Sequence, residues 1–168
     1  MCGGTIINKR YVLTAMHCLY DKYNNEHPVS KCSVVVGEHD LGDNVNEGGQ
    51  VIPIRRFIKR YDYDSKNIVN DIALLELERD ITYTKNVKSA CLPTDTSKTY
   101  VGQWGILSGW GGTVGYAPGQ RVQQKTANKL KTTSVKILSA SECSDVTSKF
   151  LKVCVKLGNW EVIFVTYK

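Results

Sequence analysis

Near its start the chain reads Cys2-Gly3-Gly4-Thr5-Ile6-Ile7 and then Tyr11-Val12-Leu13-Thr14-Ala15-Met16-His17-Cys18. Two short β-prone runs, Thr5–Asn8 and Tyr11–Thr14, lie on either side of Lys9-Arg10, and a histidine and a cysteine follow the second run. The same texture continues downstream. Ser33–Val36 is valine-rich and ends at Gly37, Val51–Ile58 is interrupted by Pro53, and Ile72–Leu77 is an apolar run of buried character. Gly105–Ser108 precedes Gly109-Trp110-Gly111-Gly112, and Lys131–Leu138 alternates in part. Many short strands separated by Gly, Asn and Pro predict an all-β barrel or sandwich. One short helix is expected over Ser139–Ser148, capped by Ser139 or Ser141, with Glu142 and Asp145 in its first turn. Thr, Asp, Ser and Lys crowd together over Pro93–Lys98, which predicts a boundary there.

Composition narrows the function classes. The 168 residues are 42% hydrophobic and 23% charged, an ordinary globular mix that excludes a disordered or fibrous chain. No apolar run approaches the ~18 residues needed to cross a bilayer. Met1 is followed at once by Cys2-Gly3-Gly4, so no secretory signal is expected. The net charge of +6 is unevenly spread: residues 1–113 carry 13 basic and 13 acidic groups, residues 114–168 carry 9 and 3. No aromatic-interleaved basic stripe, zinc-finger spacing or RNP-like motif accompanies the charge, and the densest basic run, Arg55-Arg56-Phe57-Ile58-Lys59-Arg60, is followed by Asp62 and Asp64. A solvated strand face is therefore expected there, with neither nucleic acid nor membrane as a partner.

Six cysteines, at 2, 18, 32, 91, 143 and 154, show no CxxC and no histidine at zinc spacing, so no metal site is expected from them. An even count in a glycine-rich chain fits an oxidising compartment. Spacing alone leaves all 15 pairings open.

Two residues carry chemistry as a pair. A lone histidine after a strand, such as His17, is ordinarily structural or exposed. An acid opening an apolar run, such as Asp71 in Asn70-Asp71-Ile72-Ala73-Leu74-Leu75, ordinarily caps or ends a strand. Together they match the general-base half of a catalytic triad, in which a carboxylate fixes the histidine tautomer and stabilises its cation.

At this point five landmarks, in order, resemble the trypsin-like (chymotrypsin-fold) serine proteases. The Cys2–Cys18 stretch resembles their histidine region and Asn70–Leu75 their aspartate region. Ala90-Cys91-Leu92-Pro93 resembles the segment between their two barrels. Leu107-Ser108-Gly109-Trp110-Gly111 resembles the strand opening the second barrel, and Glu142-Cys143 with Val153-Cys154 a helix-flanking disulfide. Gly37-Glu38-His39-Asp40 is reminiscent of arthropod clip- or CUB-linked and venom members.

The resemblance implies a double six-stranded antiparallel β-barrel. Its first barrel, nearly complete, would span 1–95; the start of the second would span 96–156, followed by an atypical tail at 157–168. It implies peptide-bond hydrolysis with His17 as base and acid and Asp71 orienting it. The order His then Asp places the serine last, yet no Gly-x-Ser-x-Gly occurs and no serine follows Ser148. Ser108 falls in the second barrel, away from the nucleophile turn. The chain is therefore expected to be truncated before its nucleophile and inactive. The alternatives are a non-catalytic homologue used as a binding or regulatory module, or an incomplete gene product.

Further implications follow from the same resemblance. Cys2 pairs with Cys18 and Cys143 with Cys154. Cys91 reaches a cysteine in an upstream prosegment, Cys32 has no named partner, and a Cys32–Cys91 bridge is left open. A protein substrate or inhibitor would be the partner and the setting extracellular. Some relatives hold calcium in the loop matching Glu38–Gln50, where Asp40, Asp43 and Glu47 offer hard oxygens. The spacing does not match, and a solvated loop without cofactor is the reading kept. His27 and His39 read as surface residues. Trp160–Tyr167 is β-prone and almost uncharged, an edge strand or an aggregation-prone end.

Overall fold

Eight strands organise the chain in a computed structural model, which describes residues 2–42, 49–95, 97–111 and 126–142 and the backbone of Val165–Tyr167. They are β1 (Cys2–Ile6), β2 (Tyr11–Thr14), β3 (Ser33–Val36), β4 (Gln50–Lys59), β5 (Ala73–Leu77), β6 (Trp104–Gly109), β7 (Lys131–Lys136) and β8 (Val165–Tyr167). The fold is all-β, as the sequence predicts. Among the described residues two short 3₁₀ turns, Met16–Leu19 and Val29–Lys31, interrupt it.

Six strands close a barrel in the order β1-β2-β5-β4-β3-β8. Its strands obey the period-2 rule. Val12 and Thr14 on β2, Val34 and Val36 on β3, and Ile52 and Ile54 on β4 point inward and are buried; their neighbours are half-buried or exposed. Leu19, Leu75, Leu77, Ile81 and Val87 fill the same interior. Gly4 on β1 is required by close approach: a Cβ there would stand 2.7 Å from Val12 Cγ1 and 2.9 Å from the Leu13 carbonyl oxygen.

The alternation on β4 breaks after Ile54, where a bulge shifts its register against β5. In a regular strand Arg55 and Arg56 would point to opposite faces; the extra residue lets both reach the Glu76 carboxylate on β5. The expected solvated basic face is present, but two of its arginines are anchored. Glu76 is nearly fully buried. The Arg56 hydrogen bond, against some burial, holds its carboxyl below the usual glutamate value of 4.5, aided by the charges of Arg56, Arg55 and Arg10. A depressed folded value means this stability is present above pH 4.5 and is lost as pH falls through the folded value. Glu76→Gln should therefore be less stable at neutral pH and lose less of its urea midpoint on acidification. An unchanged acid slope in the variant would contradict this.

The second sheet pairs β6 with β7 antiparallel, Trp104↔Lys136 through Gly109↔Lys131. It is fastened to the first barrel's 39–41 loop. The Trp110 indole N–H donates to the His39 carbonyl at 3.0 Å, Leu130 N–H donates to the same oxygen at 2.9 Å, and Leu41 N–H donates to the Asn128 carbonyl at 2.9 Å. Among the described residues this sheet lacks the cover that the first barrel has: Trp104 is 69% and Ile106 67% exposed.

Ser139 caps the expected helix. Its Oγ accepts from the Glu142 N–H at 3.2 Å, and the Glu142 carboxylate accepts from the Ser139 N–H at 2.8 Å, a reciprocal capping box. The rest of the 139–148 helix, the Cys143–Cys154 pair, Asp43 and Glu47, and residues 157–164 of the tail lie outside the described residues. The tail's Val165–Tyr167 is a strand between β1 and β3, with neighbours on both sides rather than at an edge.

Candidate active site

Strand pairing brings His17 and Asp71 together across 54 residues of sequence. β2 and β5 are antiparallel neighbours with Thr14 opposite Ala73. The end of β2 therefore lies beside the start of β5. His17 comes three residues after Thr14 and Asp71 two before Ala73, so both project from the same rim of the barrel.

Each is held by local structure. His17 rides on the Met16–Leu19 turn, whose Met16, Cys18 and Leu19 side chains are buried beneath it. Cys18 is joined to Cys2 on β1, which ties the turn to the barrel wall. Asp71 follows Asn70, which takes a left-handed conformation with φ of 58°. Asparagine tolerates that region better than most residues. The Asn70 side-chain amide donates to the Asp62 carbonyl at 3.0 Å and to its carboxylate at 2.9 Å, and Ile72 N–H donates to the Asn70 carbonyl at 2.8 Å. Arg60 in turn pairs with Asp62 and holds that carboxyl below its ordinary value. Sequence reasoning missed this brace. An Asn directly before the acid was the available signal.

Both oxygens of Asp71 serve His17. Oδ1 accepts the His17 backbone N–H at 2.8 Å, and Oδ2 lies 2.7 Å from Nδ1. An ionised carboxylate only accepts, so the neutral imidazole carries its proton on Nδ1 and keeps a lone pair on Nε2. The Asp71 side chain is 11% exposed while that of His17 is 60% exposed. A sheltered carboxylate thus holds an accessible imidazole. Nε2 lies 3.4 Å from Cys18 Sγ, and His17 lines a shallow depression with Tyr20, Asp21, Lys22, Asn24, Tyr63 and Ser65. Burial, and then the Asp71 charge, push the Tyr63 phenol above its ordinary value, so it stays a neutral donor beside the base.

The remaining sequence candidates are dispersed. Ser108 lies on β6, opposite Thr132, in the second sheet. Cys32 and Cys91 are not bridged to each other. Burial raises the Cys32 thiol, whose Sγ donates to the Pro28 carbonyl, whereas Cys91 is exposed. Asp40 accepts from the Gly42 N–H and Glu38 from the His39 and Asp40 N–H groups, so these carboxylates order their own loop. Cys2, His17 and Cys18 bring their ligand atoms within 4.8 Å of one another. With both sulfurs in the disulfide, no thiolate is available to bind a metal there.

The family model described as Trypsin matches residues 1–159. The chain belongs to the trypsin family. Its relatives include the chymotrypsin of Phaedon cochleariae, 36% identical over 148 residues, which cover 86% of this chain and 48% of that protein. Venom serine protease 34 of Apis mellifera is 37% identical over 138 residues, covering 79% and 33%. Trypsin-1 of Astacus astacus is 34% identical over 150 residues, covering 86% and 56%. The trypsin-family chain therefore spans about half the length of the curated relatives it matches. No helix among its described residues is long and apolar enough to cross a membrane.

Proposed function

We propose that His17 and Asp71 are the general-base half of a serine-type endopeptidase centre. The observation that carries this reading is the double engagement of His17 by Asp71, on the backbone N–H and on Nδ1. In that chemistry Nε2 takes the proton of a serine hydroxyl as it attacks a peptide carbonyl, then returns it to the leaving amine; Asp71 stabilises the imidazolium between the two steps. Membership of the trypsin family supports the reaction class.

In these 168 residues the base has no nucleophile motif to serve, because Gly-x-Ser-x-Gly is absent and no serine follows Ser148. The chain as it stands is proposed not to hydrolyse peptides. The Cys2–Cys18 disulfide supports an extracellular, oxidising setting. A protein substrate or inhibitor would lie over the His17 depression, and the exposed Cys91 suits a covalent tie to an upstream prosegment. The closed first barrel favours a second reading, a non-catalytic homologue acting as a binding or regulatory module.

Two readouts on the purified chain test the proposal. A fluorophosphonate probe should label no residue; specific labelling of Ser65, or of any other serine, overturns the inactivity. Proton NMR should show a slowly exchanging, far-downfield imidazole N–H that disappears in Asp71→Asn. There the amide oxygen keeps the His17 N–H and turns its NH₂ toward Nδ1, which reverses the tautomer. Absence of the resonance in the unaltered chain overturns the base half. Transcript sequence past the Cys154 codon separates a regulatory module from a chain whose natural continuation supplies Gly-Asp-Ser-Gly-Gly.

A further inference from the structure

Among the described residues the ligand atoms of Cys2, His17 and Cys18 converge, all within 4.8 Å of one another. The His17 corner of this triangle is already set for a metal. Asp71 Oδ2 accepts from Nδ1 at 2.7 Å, which leaves the lone pair on Nε2, and Nε2 lies 3.4 Å from Cys18 Sγ. A sulfur and a nitrogen bound to one tetrahedral zinc, at ~2.3 Å and ~2.0 Å from it, stand about 3.5 Å apart. The carboxylate behind the imidazole is the outer support that metal-bound histidines ordinarily have. More than the bond between them keeps the two cysteines close. Thr14 Oγ1 donates to the Gly3 carbonyl at 2.8 Å, and Met16 and Leu19, which flank His17 and Cys18, are buried. The exposed side of the His17 ring leaves an entry path.

We propose that reduction of the Cys2–Cys18 disulfide turns this corner into a zinc site, with the two thiolates and His17 Nε2 as ligands and water in the fourth position. The first step is exchange with a dithiol: the dithiol is oxidised to its cyclic disulfide, and Cys2 and Cys18 are each reduced to a thiol. Zinc then displaces one proton from each thiol to solvent, and the two thiolates balance its two positive charges. The sulfurs must part to about 3.8 Å around a tetrahedral ion. Each cysteine has its χ1 rotation to supply this, across a Cα–Cα distance of 6.0 Å. Two sulfurs, one imidazole and an open position are a known zinc set. No CxxC spacing marks it, because β1 and the turn after β2 bring the cysteines together in space. The site does not depend on the peptidase reading, but its consequence rests on it: a metal on Nε2 occupies the lone pair that a general base needs, so the loaded form is shut.

Cobalt(II) titration of the whole chain, reduced with a phosphine and kept free of oxygen, tests the site, with cobalt standing in for zinc. One equivalent should give the visible bands of four-coordinate cobalt and a near-ultraviolet sulfur-to-cobalt band, both lost when zinc is added. The oxidised chain should show neither. His17→Ala should weaken binding by about a hundredfold and Asp71→Asn by about tenfold. Equal cobalt affinity in His17→Ala would leave the metal to sulfurs alone and overturns the site. So does a reduced chain that takes up no stoichiometric cobalt, or one that unfolds and is not refolded by the metal. Should His17→Ala fail to fold, the His17 ring-proton resonances of the reduced, unaltered chain decide: they must shift when zinc is added, and unshifted resonances overturn the proposal. Fluorophosphonate labelling of the oxidised chain does not enter these titrations, so failure of the peptidase reading and failure of the metal site are told apart.

Discussion

Leu75→Ala should lower the stability of this chain by about 3–4 kcal/mol, with the urea midpoint as the measurement. Leu75 is fully buried at the middle of β5, and its strand is paired on both sides, with Val12 on β2 and Phe57 on β4 opposite it. Its side chain belongs to the barrel interior with Val12, Ile54 and Leu77. Truncation removes the transfer free energy of the isobutyl group and leaves a cavity that two flanking ladders prevent from collapsing. Leu74 is the internal control. It is only half-buried on the same strand, so Leu74→Ala should cost about 1 kcal/mol or less. A loss below about 1 kcal/mol at Leu75, or equal losses at the two positions, would show that the interior is not packed in this way.

Replacing Cys2 and Cys18 together with alanine should cost about 3 kcal/mol, within the usual 2–5 for a native disulfide. The bond closes a loop of sequence separation 16, and its removal frees the unfolded chain to explore states the loop forbids. Alanine is the suitable replacement, because Cys18 is buried and a serine hydroxyl would add a polar burial cost of its own. The double variant also unties the Met16–Leu19 turn from β1. The downfield His17 N–H resonance should therefore broaden even under conditions where the chain stays folded. Denaturant melts of oxidised and reduced protein provide a second route to the same number. A loss under about 1 kcal/mol by either route would mean that the loop is already constrained without the bond.

Much of the barrel was legible in the sequence. Tyr11–Thr14 and Ser33–Val36 are strands with the expected bounds, because short runs rich in β-branched residues between turn signals leave little else for the backbone to do. Other limits moved by a few residues: Thr5–Asn8 became Cys2–Ile6, and Lys131–Leu138 became Lys131–Lys136. Glycines at positions 3 and 4 hide strand character that a partner strand confers. Capping at Ser139 rather than Ser141 was undecided in sequence, since both are serines just ahead of the same polar turn. Only Ser139 has a glutamate three positions on.

The candidate site was legible as residue types, not as an arrangement. His17 and Asp71 each had a structural reading that was the better one alone. Their contact depends on the antiparallel pairing of β2 with β5. The Asn70–Asp62 contact and the bulge that turns Arg55 and Arg56 onto Glu76 join residues 8 to 21 apart in sequence, and His17 and Asp71 are 54 apart. No local pattern encodes those.

The sequence by itself determined the all-β class and the family and singled out His17 and Asp71 as a pair, because side-chain period, turn residues and ordered motifs are properties of the chain read locally. Tertiary structure alone decided which strand closes the barrel and that both Asp71 oxygens converge on His17. The physical reason is that strand edges and carboxylate lone pairs are satisfied by whatever lies beside them in space, and sequence distance places no limit on that.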